Sequence, residues 1–207
     1  GRGTRPAALL RSIFSRARPV AGALRGGAWS AMPTVVGAPL NAVALSGSDG
    51  WAVGETDADT GRAAILRLQD GTWSSVPSPV TQSLNAVVTD GVTAWAVGNR
   101  GVILHYASGT WQEAPSPTTE ILLGVTMTSA NTALAVGANG ALLEYSSGAW
   151  HILPPLGWQI LRSVARDTAG GVWAVGGYGV ILKGYGVTPR AYLPLLARSD
   201  GRVSPAP

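Results

Sequence analysis

Apolar residues in this chain come in short bursts, and the bursts repeat. Trp51-Ala52-Val53-Gly54 returns as Trp95-Ala96-Val97-Gly98, Leu134-Ala135-Val136-Gly137 and Trp173-Ala174-Val175-Gly176, at spacings of 44, 39 and 39 residues. A second series runs in step with it: Gly27-Ala28-Trp29, Gly71-Thr72-Trp73, Gly109-Thr110-Trp111 and Gly148-Ala149-Trp150. Eleven residues beyond each of these tryptophans stands a leucine, Leu40, Leu84, Leu122 or Leu161. Self-similarity at a fixed period is the signature of a repeat architecture.

Each unit reads as four short strands. Strand A opens at the leucine (40–46 in the first unit) with the pattern Leu-x-small-Val, the small residue being Ala42, Ala86, Gly124 or Ser163. Small side chains there fit inner strands crowded round a central axis. Strand B is the Trp-Ala-Val-Gly segment. Strand C is an apolar run such as 102–106 or 141–145, and strand D starts at the second tryptophan and ends at a proline, as an outer edge strand does. Asp70-Gly71, Ser108-Gly109 and Ser147-Gly148 stand between C and D, and such pairs signal two-residue hairpins. Four strands in about 40 residues is the period of a propeller blade. The expected fold is therefore all-β, a β-propeller of four-stranded antiparallel blades, with tryptophans as packing spokes between them.

The blades fall at 40–78, 84–116, 122–154 and 161–184, the last without its own strand D. The spare strand D at Trp29–Pro33, paired beside Val180–Lys183, would close a ring of about four blades. The alternative is a larger propeller, completed by further blades or by a second chain. The expected organisation is a basic leader at 1–26, the repeat domain at 27–187 and a C-terminal segment with a polar tail at 188–207.

The run Trp95-Ala96-Val97-Gly98, Gly101-Val102-Ile103-Leu104-His105-Tyr106 and Ser108-Gly109-Thr110-Trp111 resembles bacterial propeller repeats related to the Asp-box (BNR) group. That group includes sialidase-type propellers and the photosystem II stability/assembly factor-like propellers. The resemblance covers roughly 27–187 and implies a propeller. An Asp-box reads Ser-x-Asp-x-Gly-x-Thr-Trp, and Asp70-Gly71-Thr72-Trp73 comes nearest to it; the other units carry Ser108, Ser147 or Gly26 in place of the aspartate.

Composition narrows the function. The 28 glycines, 14 prolines and 13% charged residues suit short strands and tight turns. The absence of cysteine excludes thiol nucleophiles, disulfides and cysteine-based metal sites. The formal charge of +4 belongs to the ends of the chain: 1–26 hold six arginines and no acid, whereas 29–187 hold six basic residues against ten acidic ones. A mildly acidic body without a basic stripe argues against nucleic acid, and no apolar run is long enough to span a membrane. The expected location is extracellular, periplasmic or at the cell surface, with the cytoplasm as the alternative. Arg190–Leu196 resembles short segments near the termini of exported bacterial proteins.

Candidate chemistry is sparse. By repeat alignment, His105 shares its position with Arg67, Glu144 and Lys183, and His151 with Ser30, Ser74 and Gln112, so both read as surface residues. Two separated histidines make no catalytic triad or transition-metal site. Acids cluster at Asp57-Ala58-Asp59-Thr60-Gly61, in six residues by which the first blade exceeds the others. Asp57 and Asp59 are candidate calcium ligands; the plainer reading is a solvated hairpin tip. Gly176-Gly177-Tyr178-Gly179 lies between two strands and is a turn, not a phosphate loop.

In a propeller the D-to-A and B-to-C connections share one face. That face carries Trp158, Tyr178, Arg100, Asn99, Asn139 and Glu120, a mixed aromatic and polar rim suited to a protein segment or a glycan. The sequence thus reads as a non-enzymatic interaction or scaffolding module needing no cofactor, calcium apart, monomeric or dimeric. The alternatives are a sialidase-like or other carbohydrate-active propeller and a truncated repeat without independent function.

Overall fold

Side chains along a strand alternate between the two faces of its sheet, so Trp-Ala-Val-Gly sends Trp and Val one way and Ala the other. The computed structural model describes Met32, residues 36–185 and two short strands, β16 (Leu196–Ala197) and β17 (Val203–Ser204), which pair antiparallel. Three four-stranded sheets follow one another: β1 to β4 (Leu40–Ser46, Asp49–Thr56, Ala63–Gln69, Thr72–Ser75), β5 to β8 (Leu84–Thr89, Ala94–Gly98, Ile103–Ala107, Thr110–Glu113) and β9 to β12 (Leu122–Ser129, Thr132–Gly137, Leu142–Ser146, Ala149–Ile152). A fourth sheet has three strands, β13 to β15 (Leu161–Arg166, Gly171–Gly176, Ile181–Tyr185). Within each sheet consecutive strands pair antiparallel. These are the blades of a β-propeller, with inner strands β1, β5, β9 and β13 packing in sequence. Among the described residues no helix is long and apolar enough to cross a membrane.

The core lies between blades. Trp51, Val53 and Ile65 of blade 1 face Leu84, Val87, Ala96, Leu104, Tyr106 and Trp111 of blade 2. Trp95, Val97 and Ile103 repeat the arrangement against Leu122, Val125, Ala135, Leu143 and Trp150, and Leu134 with Val136 meets Leu161, Val164, Ala174 and Leu182. Ring geometry orders each layer: Trp51 lies 4.5 Å from Tyr106 and 5.0 Å from Trp111, and Trp95 lies 4.5 Å from Tyr145 and 5.2 Å from Trp150.

The glycine that ends each strand B is required by close approach. At Gly98, Gly137 and Gly176 the backbone is extended, with φ of −163°, −168° and −166°. A Cβ there would run into the carbonyl oxygen of Ser83, Ile121 or Ile160, just ahead of strand A, and at Gly54 into that of Pro39. The same four carbonyls accept the N–H of the next residue: Glu55 (2.9 Å), Asn99 (3.0 Å), Ala138 (2.8 Å) and Gly177 (2.8 Å). One residue into strand A the register slips, at 41, 85, 123 and 162, a bulge that bends the inner strand. Asn41 and Asn85 use it to donate to the Leu84 and Leu122 carbonyls of the next blade, at 2.9 and 2.8 Å.

The C-to-D hairpins are the two-residue turns expected, with positive φ at both central residues of Asp70-Gly71 (49°, 73°), Ser108-Gly109 (53°, 85°) and Ser147-Gly148 (53°, 84°). The proposed closing strand at Trp29–Pro33 falls outside the described residues except for Met32, as do the leader and most of the tail. Gly137→Ala is expected to destabilise the protein by about 1–3 kcal/mol, because strand A must move to clear the new methyl. Urea unfolding checks it, and an unchanged midpoint would contradict the close-approach argument.

Candidate functional site

Four backbone hydrogen bonds fix the loop face. The carbonyls before strand A hold the first residue of each B-to-C connection, so the D-to-A loops and B-to-C turns sit side by side, as the sequence implied. In blades 2 to 4 the turns are short and left-handed. Arg100-Gly101, Asn139-Gly140 and Tyr178-Gly179 have φ of 58° and 71°, 52° and 69°, 57° and 72°, and a bond closes each turn from Val102 N–H to Asn99, Ala141 to Ala138 and Val180 to Gly177. Asparagine tolerates this backbone region. Arginine and tyrosine do so at a cost of about 1 kcal/mol each, and both point outward from the turn tips, exposed.

The third and fourth blades bring the candidate residues together. Trp158, from the loop before blade 4, meets Tyr178 edge to face with centroids 5.4 Å apart and planes at 64°. They are 68% and 87% exposed, high for the two largest aromatic side chains on this face. The Trp158 loop is held rather than loose: Gly140 N–H donates to the Gln159 carbonyl at 3.0 Å, and Gly140 sits so tightly against Gly157 that no Cβ fits between them. Beside this pair, Asn139 Nδ2 donates to Glu120 Oε2 at 2.9 Å.

The remaining candidates divide. Arg100 is exposed at its turn tip, with no hydrogen bond or ion pair to it among the described residues. Asn99 is half-buried, its Oδ1 accepting from Asn85 Nδ2 at 3.0 Å, so it belongs to the link between blades more than to the rim. Ile121 and Ile160, which the repeat pattern alone does not single out, are 44% and 39% exposed, and their carbonyls anchor the turns carrying Asn139 and Tyr178. The signal lies in the residue just ahead of strand A: their repeat equivalents are Pro39 and Ser83, and an apolar residue recurs only beside the two turns that build this cluster.

Asp57 is buried, and its carboxylate accepts from the backbone N–H groups of Thr60 and Asp59, each at 3.1 Å, and Gly37 at 3.3 Å. These bonds, the Thr60 N–H foremost, hold its carboxyl below the ordinary aspartate value against the opposing effect of burial. Asp57 thus organises its loop as an Asx turn, while Asp59 is exposed. No three His, Asp or Glu side chains gather into a metal-binding group among the described residues.

Cationic and histidine side chains on strand C do different work from that expected of a solvent-facing position. Each stands across from the strand B residue: Arg67 beside Trp51, His105 beside Trp95, Glu144 beside Leu134, Lys183 beside Trp173. The Arg67 guanidinium lies 5.2 Å over Trp51 and donates to Tyr106 Oη at 2.6 Å; His105 stacks on Trp95 at 4.0 Å and 14°; Lys183 Nζ lies 4.4 Å over Trp173. Where leucine replaces the tryptophan, Glu144 stands across from it and has no aromatic face to cover. His105 is half-buried, and desolvation holds its imidazole below the usual value. Arg62 is likewise occupied, donating to the Ser78 and Pro79 carbonyls at 3.2 and 3.0 Å.

No family model matches the sequence, and neither does any curated protein. Solved propellers match the fold. The computationally designed Ika4 protein superposes with a TM-score of 0.56 at 15% identity, over 72% of this chain and 92% of that one. YCF48 from Cyanidioschyzon merolae gives 0.58 at 22% identity over 75% of this chain and 56% of its own, and YCF48 bound to D1 peptide gives 0.53 at 20% identity over 75% and 52%. The chain thus spans about half the length of YCF48, and at these identities the likeness establishes the fold.

The Asp57 carboxylate yields a pH prediction. A carboxyl whose folded pKa is depressed stabilises the fold above its unfolded value, near 3.8, and loses that contribution as pH falls through the folded value. Asp57→Ala should therefore lower stability at neutral pH, with a smaller gap to the parent at a pH below 3.8. Urea titrations at the two pH values test this, and a gap independent of pH would contradict it.

Proposed function

We propose that this chain is a non-catalytic propeller that binds a protein segment on its loop face, between blades 3 and 4. The observation that carries the reading is the Trp158–Tyr178 pair, exposed at 68% and 87% yet fixed by backbone bonds to neighbouring loops. Rigid exposed aromatics are what interface hot spots are made of, since little conformational entropy is lost when a partner covers them. Ile121 and Ile160 extend the apolar area, while Asn139, Glu120 and Arg100 supply the polar edge. The likeness to YCF48, one structure of which holds a D1 peptide, supports a peptide-like ligand, as does the resemblance of the repeats to photosystem II assembly factor-like propellers. A binding role also accords with the chemistry of the acids and arginines: Asp57 and Arg62 hold backbone, and Arg67 holds Tyr106.

Selection of a random displayed peptide library on the immobilised protein tests the proposal. The expected result is a consensus with an apolar anchor, whose peptides bind at least about tenfold more weakly to Trp158→Ala or Tyr178→Ala. Failure to converge, or equal binding to the double variant, would overturn it. Convergence on a glycan array in place of peptides would overturn the ligand class.

A further inference from the structure

The propeller's first and last blades each present a face that its internal blades keep covered. In blades 2 to 4 the strand A leucine and valine are buried: Leu84 and Val87, Leu122 and Val125, Leu161 and Val164 are all 8% exposed or less. In blade 1 the equivalent Leu40 and Val43 are 40% and 61% exposed, and Leu45 beside them is 59% exposed. Blade 4 mirrors this. Trp51 and Trp95 are 5% and 3% exposed and Val53 and Val97 fully buried, but Trp173 and Val175 are 37% and 43% exposed and Ile181 is 54% exposed. The two faces are the two halves of one recurring interface, in which strand A of a blade packs on strands A and B of the blade before it. In blade 1, Ala52 and Leu66, farther out, are already buried, so the free part is the inner strand β1. In blade 4 the exposed partners on β13 and β14 are Ser163, Ala165, Trp173 and Val175.

We infer that these faces join two copies of the chain head to tail, β1 of each copy packing on β13 and β14 of the other. The occupant is a second copy because complementarity to each face is already built into the opposite face of the same chain, at the register that three internal interfaces use. Trp173 is ready for the contact: its Nε1 donates to Asp167 Oδ2 at 3.0 Å, and Lys183 covers its other side. Head-to-tail contacts close a ring when the rotations sum to a full turn. Two copies of four blades make eight, within the usual range of about four to eight, and three copies overshoot it.

Light scattering on a size-exclusion column, over a wide range of concentration, reads the outcome. The expected mass is twice the 21.1 kDa of the chain. Val43→Lys and Val175→Glu, made separately, should each give a folded species of half that mass, since both sites are exposed within one copy. Mixing the two variants should restore the dimer, because one lysine–glutamate contact and one unaltered contact then close the ring. A 21.1 kDa species at every concentration, masses climbing beyond two copies, or two variants that stay dimeric would each overturn the inference. So would variants that are monomeric and folded by circular dichroism yet fail to combine.

Discussion

Everything in this molecule depends on the second-strand residue of one blade seating on the next, a tryptophan in blades 1 and 2 and a leucine in blade 3. Among the described residues the core clusters lie in the layers between sheets. Burying one large aromatic side chain is worth about 3 kcal/mol, and an edge-to-face pair adds about 1 kcal/mol. The rest of the repeat serves that contact. The alanine after the tryptophan keeps the opposite face thin, the glycine lets strand A come close, and Arg67, His105 or Lys183 of strand C covers the ring's outer side. Among the described residues the buried indole N–H groups of Trp111 and Trp150 have no hydrogen-bond acceptor, a cost set against the burial of the aromatic layer.

A scaffold held together between blades leaves its loops free to carry strain. Arg100 and Tyr178 sit in left-handed turns that disfavour both residue types, and in each case the following glycine and two backbone bonds complete the turn. The turns stay fixed because the strand B glycine and the carbonyl before strand A hold their roots. The same contact that packs the fold therefore presents Tyr178 beside Trp158. Blade 1, with its longer connection, uses the Asp57 carboxylate for this instead.

Much of this was legible in the sequence because a repeat states its rules several times. The strand order, the Asp-Gly and Ser-Gly hairpins and the shared loop face follow from aligning four copies. Other features resisted for physical reasons. Arg67, His105, Glu144 and Lys183 look like a solvent-facing series because all are polar, and only the cross-strand register reveals that three of them cover tryptophans. Asp57-Ala58-Asp59 has the spacing of cation ligands, but whether a carboxylate turns inward to its own backbone is decided by loop geometry. The pairing of Trp158 with Tyr178 joins two different connections, which no local pattern encodes.

Stability resides between the blades, and the loop face stands apart from it. Equilibrium urea unfolding of Trp95→Ala beside Trp158→Ala tests this most directly. The expected loss is about 3–5 kcal/mol for Trp95→Ala, where the residue is 3% exposed, and less than about 0.5 kcal/mol for Trp158→Ala, where the residue is 68% exposed. Comparable losses at the two sites would contradict it.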